Sequence, residues 1–144
     1  MRYQDTARDA LRFALKIAPD LECSVTVPIA IQTRMTGYRA AYFSFVDRHI
    51  LSELRQFAEA VVDECGKIAA DMGGTSPETV TLEGEGKISE QIVDFIGATP
   101  DTAMPVIGSY GHGVRDRLIL GSTTQRIILE IARRGMKIAV QVVP

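Results

Sequence analysis

Apolar residues in this chain recur either every three to four positions or every second position, and the two rhythms take turns. Ala7, Leu11, Ala14, Leu15 and Ala18 lie at helical spacing and predict a helix over 5–18, stopped by Pro19. Thr6 is placed to cap it, with Asp9 three residues on. Residues 24–31 are β-branched and apolar and predict a buried strand. A polar and aromatic segment over 32–45 follows, carrying Arg34, Tyr38, Arg39, Tyr42, Phe43 and Phe45, and reads as a long loop. Ile50, Leu54, Phe57, Val61, Cys65, Ile68 and Met72 form one stripe and predict a long helix over 46–72, ended by Gly73 and Gly74.

The second half repeats the alternation in shorter elements. A strand over 79–82 leads through Gly84 and Gly86 into a helix over 89–96 that turns Ile92, Val93 and Ile96 inward. A strand over 103–107 ends at a glycine loop, and a helix over 123–134 follows. Ser122 and Gln125 have capping-box spacing, Arg133 and Arg134 suit the carboxyl end of the helix dipole, and Gly135 stops the helix. The chain closes in a strand running from Lys137 to Val143, whose Ile138, Val140 and Val142 can face a core or a dimer seam.

Helices alternating with strands predict an α/β fold, a parallel sheet with helices on both faces. In such sheets ligands bind beyond the carboxyl ends of the strands. The glycine loop leaves the carboxyl end of the 103–107 strand, which makes it the candidate site.

Composition narrows the classes. The 144 residues suffice for one domain over 1–144 with a substantial core. A formal net charge of −2 gives no broad basic surface for nucleic acid. No apolar run approaches the roughly 20 residues of a membrane span and no signal peptide is visible, so the expected location is cytoplasmic. Cys23 and Cys65 both sit in apolar patterns and read as two buried free thiols. His49 and His112 have no metal-ligand spacing.

The candidate chemistry is Val106-Ile107-Gly108-Ser109-Tyr110-Gly111-His112-Gly113, with Gly121-Ser122-Thr123-Thr124 after a spacer. Bare backbone N–H groups and a helix N-terminus present positive partial charge without side-chain bulk, as a phosphate requires. Tight turns alone also explain such glycines. Gly113 reads as a turn glycine, and Ser122 and Thr123 suit an N-cap with or without a ligand. His112 is either an exposed loop residue or a phosphate contact, while Arg115 and Arg117 suit a solvated face. Asp5 reads as a helix N-terminal residue.

Gly108-x2-Gly111-x9-Gly121-Ser122 resembles the signature of the universal stress protein family, in its ATP-binding branch. Val106-Ile107-Gly108-Ser109 looks like that family's strand-to-loop junction, and Arg117-Leu118-Ile119-Leu120-Gly121-Ser122 like its second half. Gly86 with Ile92-Val93 resembles the start of its third helix, and Asp5-Thr6-Ala7-Arg8-Asp9-Ala10-Leu11 the start of its first. The resemblance implies a flavodoxin-like fold, similar to the adenine nucleotide alpha hydrolases, with strand order 3-2-1-4-5. It implies a homodimer paired through the last strand, Lys137 to Val143, and ATP or a related adenine nucleotide as ligand, with magnesium as an optional companion. By position, Gly108, Gly111, Gly121, Ser122 and Thr123 would surround phosphates and ribose, with Ser109 and His112 in the same loop. Ile107 would lie near the ribose and base.

One departure stands out. Family members begin with an apolar central strand that ends in an Asp; Met1-Arg2-Tyr3-Gln4 is too short and polar to be that strand. Pro28 and Pro105 fall in the two strands that would flank it, where each removes a ladder donor. The expectation is a sheet lacking its first strand; a partner chain filling the gap and a truncated chain are the alternatives. Base-binding contacts from that segment are lost, and the loop over 32–45 either compensates or packs on a sheet edge.

Two functions follow. One is a nucleotide-binding regulatory protein of the stress response; the other is a non-nucleotide-binding dimerisation module of the same fold. No general base, catalytic lysine or paired metal-binding acids lie near the loop, so at most slow ATP hydrolysis is expected. ATP-cleaving synthetases need a serine- and glycine-rich loop after a first strand, which is absent here.

Overall fold

A computed structural model describes residues 2–33, 40–102, 104–109 and 120–144, with the side chains of 2–5 and 40–50 outside that description. In chain order the elements are α1 (Arg2–Ile17), β1 (Thr26–Gln32), α2 (Ala40–Asp71), β2 (Glu78–Gly84), α3 (Ile88–Ala98), β3 (Val106–Gly108), α4 (Ser122–Arg133) and β4 (Gln141–Val143). The alternation read from the sequence is therefore the alternation observed.

Among the described residues the strands form two separate parallel pairs, β1 with β2 and β3 with β4. Thr26 opposes Glu78 and Gln32 opposes Gly84 in the first; Val106 opposes Gln141 and Gly108 opposes Val143 in the second. Among the described residues no strand joins the two pairs. Pro28 sits within β1 opposite Val80. Pro105 lies just before β3, not inside it, and its carbonyl accepts the N–H of Gln141 at 2.9 Å.

Helices join what the sheets do not. Val27, Ile29 and Ile31 of β1 pack with Ala58, Val61 and Val62 of α2, and Leu11 and Leu15 of α1 join Cys65 and Ile68 beside them. On β3, Ile107 packs against Val93 and Ile96 of α3 and Ile127 and Ile131 of α4. Strand alternation puts the next residue, Gly108, on the opposite face, against α1. α1 touches α2, β3 and β4, while α3 touches β1 and α4, so each helix bridges the two strand pairs.

Several boundaries differ from the sequence reading for identifiable reasons. α1 starts at Arg2, so Thr6 lies inside the helix and does not cap it. Its buried line runs through Ala10, Leu11 and Ala18, leaving Ala7 exposed. α2 starts at Ala40, so 40–45 is helical: with no Gly or Pro there, a formed helix extends residue by residue at little cost. Phe57 is 50% exposed while Ala58 is buried, because the small Ala lets the helix approach Ile29 and Ile31 closely. Cys65 is buried but Cys23 is exposed beyond the end of α1, and both are free thiols. β4 covers only 141–143, since the short β3 offers no longer partner; Met136, Ile138 and Val140 alternate into the core without a ladder.

Gly73 and Gly135 end α2 and α4 as expected, at φ of +70° and +67°. Each closes the helix with paired bonds, Gly135 N–H to Ala132 and Met136 N–H to Ile131 in the case of α4.

Candidate functional site

Two hydrogen bonds hold the start of α4 at the carboxyl end of β3, and a third fixes the turn between them to β4. Ser109 N–H donates to Val143 O at 2.8 Å, extending the ladder by one residue. Gly121 N–H donates to Ser109 O at 2.8 Å. Thr124 Oγ1 donates to Gly108 O at 2.8 Å. Thr124 is buried, whereas Ser122 and Thr123 are exposed at the first turn.

The expected capping box does not form. Gly121, not Ser122, is the N-cap, in extended backbone with φ −59° and ψ 153°, and no side chain caps the helix. Gln125 Nε2 donates instead to Leu120 O at 2.8 Å. The docking of Gly121 onto Ser109 advances the helix start by one residue and puts Ser122 inside it. The first-turn amides of α4 are left without a side-chain acceptor.

Gly108 has a packing role of its own. A Cβ built there would stand 2.8 Å from the backbone oxygen of Thr6 and 2.9 Å from its carbonyl carbon. Only a residue without a side chain permits this approach of α1.

A second helix start converges on the same end of the molecule. Lys87 is the N-cap of α3, extended at φ −60° and ψ 151°, and unlike α4 this helix start has a capping-box partner in Glu90. Its N–H donates weakly to Glu90 Oε2 at 3.4 Å. Between the starts of α3 and α4 lies a cleft of about 250 Å³, lined by Gln32, Lys87, Ile88, Ser89, Thr123 and Arg126.

Gln91 ties this region together. Its Nε2 lies 3.0, 3.2 and 2.9 Å from the carbonyls of Ile31, Gly84 and Gly86. One amide thus spans the ends of β1 and β2 and the turn before α3. Gly84 leaves room for it, since an added Cβ would meet the Gln91 side chain at 3.2 Å.

Of the residues chosen from sequence, Gly108, Ser109 and Gly121 come together directly, with Ser122 and Thr123 beside them. Ile107 is half-buried in the α3–α4 core. Gly111 and His112 lie outside the described residues, as do Gly113, Arg115, Arg117, Arg34, Tyr38 and Arg39; so do the side chains of Asp5, Tyr42, Phe43 and Phe45. Gln91 was missed, and Thr124 stood in the candidate stretch without a role of its own. Thr124 carried a signal, since it stands one helical turn before the inward Ile127 and Ile128 pair; Gln91 carried none beyond its place in an apolar face.

Among the described residues no three His, Cys, Asp or Glu side chains are grouped to hold a metal. Burial first, and then the Glu64 carboxylate, push the Cys65 thiol above its usual range, which keeps it protonated and inert. No helix among the described residues is long and apolar enough to cross a membrane.

Parallel strand pairs, helices packed on them and a glycine-led turn docked on a helix start define an α/β protein of the flavodoxin-like kind. Residues 3–132 match the universal stress protein family. The chain belongs to that family. The universal stress protein UspA from Lactobacillus plantarum has a similar structure, at 20% identity and TM-score 0.72, covering 97% of this chain and 90% of that one. A universal stress protein from Archaeoglobus fulgidus in complex with dAMP matches at 21% identity and TM-score 0.66, over 97% of this chain and 89% of that one. A universal stress protein in complex with cAMP matches at 19% identity and TM-score 0.61, over 99% and 90%. No curated protein matches the chain significantly.

Proposed function

We propose that this chain is an adenine-nucleotide-binding regulatory protein of the stress response, acting as a cytoplasmic homodimer. The observation that carries the reading is the docking of the uncapped α4 start on the Gly108–Ser109 turn by Gly121 and Thr124. Free first-turn amides beside a glycine-led turn suit a phosphate. Two relatives of the same fold hold dAMP and cAMP. ATP is the nucleotide proposed, with Gly108, Ser109, Gly111, His112, Gly121, Ser122 and Thr123 around its phosphates and ribose. Ile107 lines the base side through its backbone, its side chain being used in the core. Magnesium would enter with the phosphates, no acidic cluster being formed among the described residues. The dimer is proposed to pair through the open edge of β4.

One observation favours the second reading, an interaction module that binds no nucleotide. The Thr6–Gly108 contact accounts for that glycine without a ligand. Calorimetric titration with ATP separates the two, with Gly121→Val as control. Micromolar binding that is lost in Gly121→Val supports the nucleotide reading. A folded chain that takes up no ATP at millimolar concentration leaves the interaction module.

A further inference from the structure

Backbone carbonyls from three separate segments converge on one side-chain amide. Ile31 lies near the end of β1, Gly84 ends β2, and Gly86 lies in the turn before α3. Gln91 Nε2 reaches their oxygens at 3.0, 3.2 and 2.9 Å. The Gly84 carbonyl also accepts the N–H of Thr33 at 2.8 Å, beyond the last residue of β1. The half-buried Gln91 thus carries the end of the β1–β2 ladder over to α3. An amide nitrogen has two hydrogens, so three acceptors use up its donors and leave none for a ligand.

This tether matters because, among the described residues, no ladder joins β1 and β2 to β3 and β4. α3 is bound to α4 through Val93, Ile96, Ile127 and Ile131, and it also touches β1. Apolar packing is non-directional, whereas hydrogen bonds weaken steeply when distance or angle departs from the optimum. The Gln91 amide therefore fixes where the end of β1 stands relative to the start of α3. Gln32, the residue after Ile31, lines the cleft together with Lys87, Ile88 and Ser89 at the start of α3 and Thr123 and Arg126 of α4. Gln91 itself is not among the lining residues.

We infer that Gln91 is a positioning residue for the cleft between α3 and α4 and, through it, for the bound adenine nucleotide. It touches no ligand; it sets Gln32 against Thr123 and Arg126. The step to the nucleotide rests on the nucleotide reading, and the step to the cleft does not. The convergence of carbonyls demands a donor at this point. Gln91→Glu keeps the shape but aims a carboxylate at three carbonyl oxygens, and Gln91→Met offers no donor. An ammonium group has three hydrogens for three carbonyls, on a flexible stem, so Gln91→Lys should keep the tether.

The test compares the intact chain with Gln91→Met, Gln91→Glu and Gln91→Lys by ATP calorimetry and amide NMR, at a temperature where circular dichroism shows every variant folded. Gln91→Met and Gln91→Glu should bind ATP about tenfold more weakly, and Gln91→Lys should regain most of the loss. Before ATP is added, the amide signals of Thr123 and Arg126 should move in Gln91→Met and return in Gln91→Lys. A lower melting temperature with unchanged ATP affinity and unchanged signals would make Gln91 a stabilising residue only and overturn the inference. Equal losses in all three variants would also overturn it, because the shape of the glutamine and not its donors would then matter. An unaltered chain that binds no ATP defeats the nucleotide reading, and the Thr123 and Arg126 signals then decide the rest. Signals moved by Gln91→Met and restored by Gln91→Lys uphold the positioning of the cleft; unmoved signals overturn it. Gln91→Asn, which keeps the amide but is one methylene too short to reach, replaces Gln91→Met should that chain fail to fold.

Discussion

The hydroxyl of Thr124 donates a 2.8 Å hydrogen bond to the carbonyl of Gly108, joining α4 to the last residue of β3. Thr124→Val keeps the shape and removes the donor, leaving a half-buried carbonyl unpaired. The expected loss is about 1–3 kcal/mol of stability, measured by urea unfolding. Thr124→Ser should retain most of it. Equal loss in both variants would mean that the methyl packing, not the bond, is what matters.

Gly108→Ala tests the contact on the other face of β3. The added methyl would meet the Thr6 backbone at 2.8 Å, and a helix backbone yields less readily than a side-chain tip. Overpacking of this kind costs about 1–3 kcal/mol. A crystal structure of the variant should show α1 displaced from β3. An unshifted α1 with unchanged melting temperature would contradict the contact.

Gly135 and Gly97 should respond to alanine with opposite signs. Gly135 has φ +67°, where an L side chain is strained by about 1–2 kcal/mol, so Gly135→Ala should destabilise. Gly97 lies in α3 with nothing within 4 Å of an added Cβ, so Gly97→Ala should stabilise by about 0.5–1 kcal/mol. Parallel chemical denaturation of the pair checks the prediction.

Acid should loosen the α3–α4 side. Hydrogen bonds from Arg133 and then Arg134 hold the Glu130 carboxyl down to about 2, against an ordinary value of 4.5. Arg134 also reaches Asp94 of α3 at 2.6 Å. A carboxyl lowered by folding stabilises the fold fully above its unfolded value and loses that contribution as pH falls through the folded one. The contribution is therefore complete above pH 4.5 and fades down to about pH 2. Glu130→Gln should flatten this part of the melting-temperature profile. An unchanged profile would show that the pairing adds nothing to stability.

Much of the architecture was legible because its signals are local. The order of helices and strands follows from periodicity, and Gly73 and Gly135 announced two helix ends through a conformation that favours glycine. Contacts between distant segments were less legible. Nothing near Gly108 names Thr6 as its neighbour, and Gln91 reads as a polar residue on an apolar face until three carbonyls surround it. Ser122 and Gln125 have the spacing of a capping box, yet the docking of Gly121 onto Ser109 decides where α4 starts. For the same reason the site was half legible: Gly108, Ser109 and Gly121 announced themselves, whereas Thr124 and the cleft beside Ser89 required three dimensions.

The separation of the strands into two pairs has a mechanical meaning. A continuous sheet resists sliding because every strand is stitched to the next by backbone hydrogen bonds. Here, among the described residues, no such stitch crosses from β1 to β3, and side-chain packing by α1 and α3 does the joining. Such packing has no register to break, so it can adjust in small steps. The two walls of the cleft, one carrying Gln32 and the other Thr123 and Arg126, are therefore set apart by the fit of α3 on α4. The spacing of the two strand pairs is therefore set by how α1 and α3 pack on them.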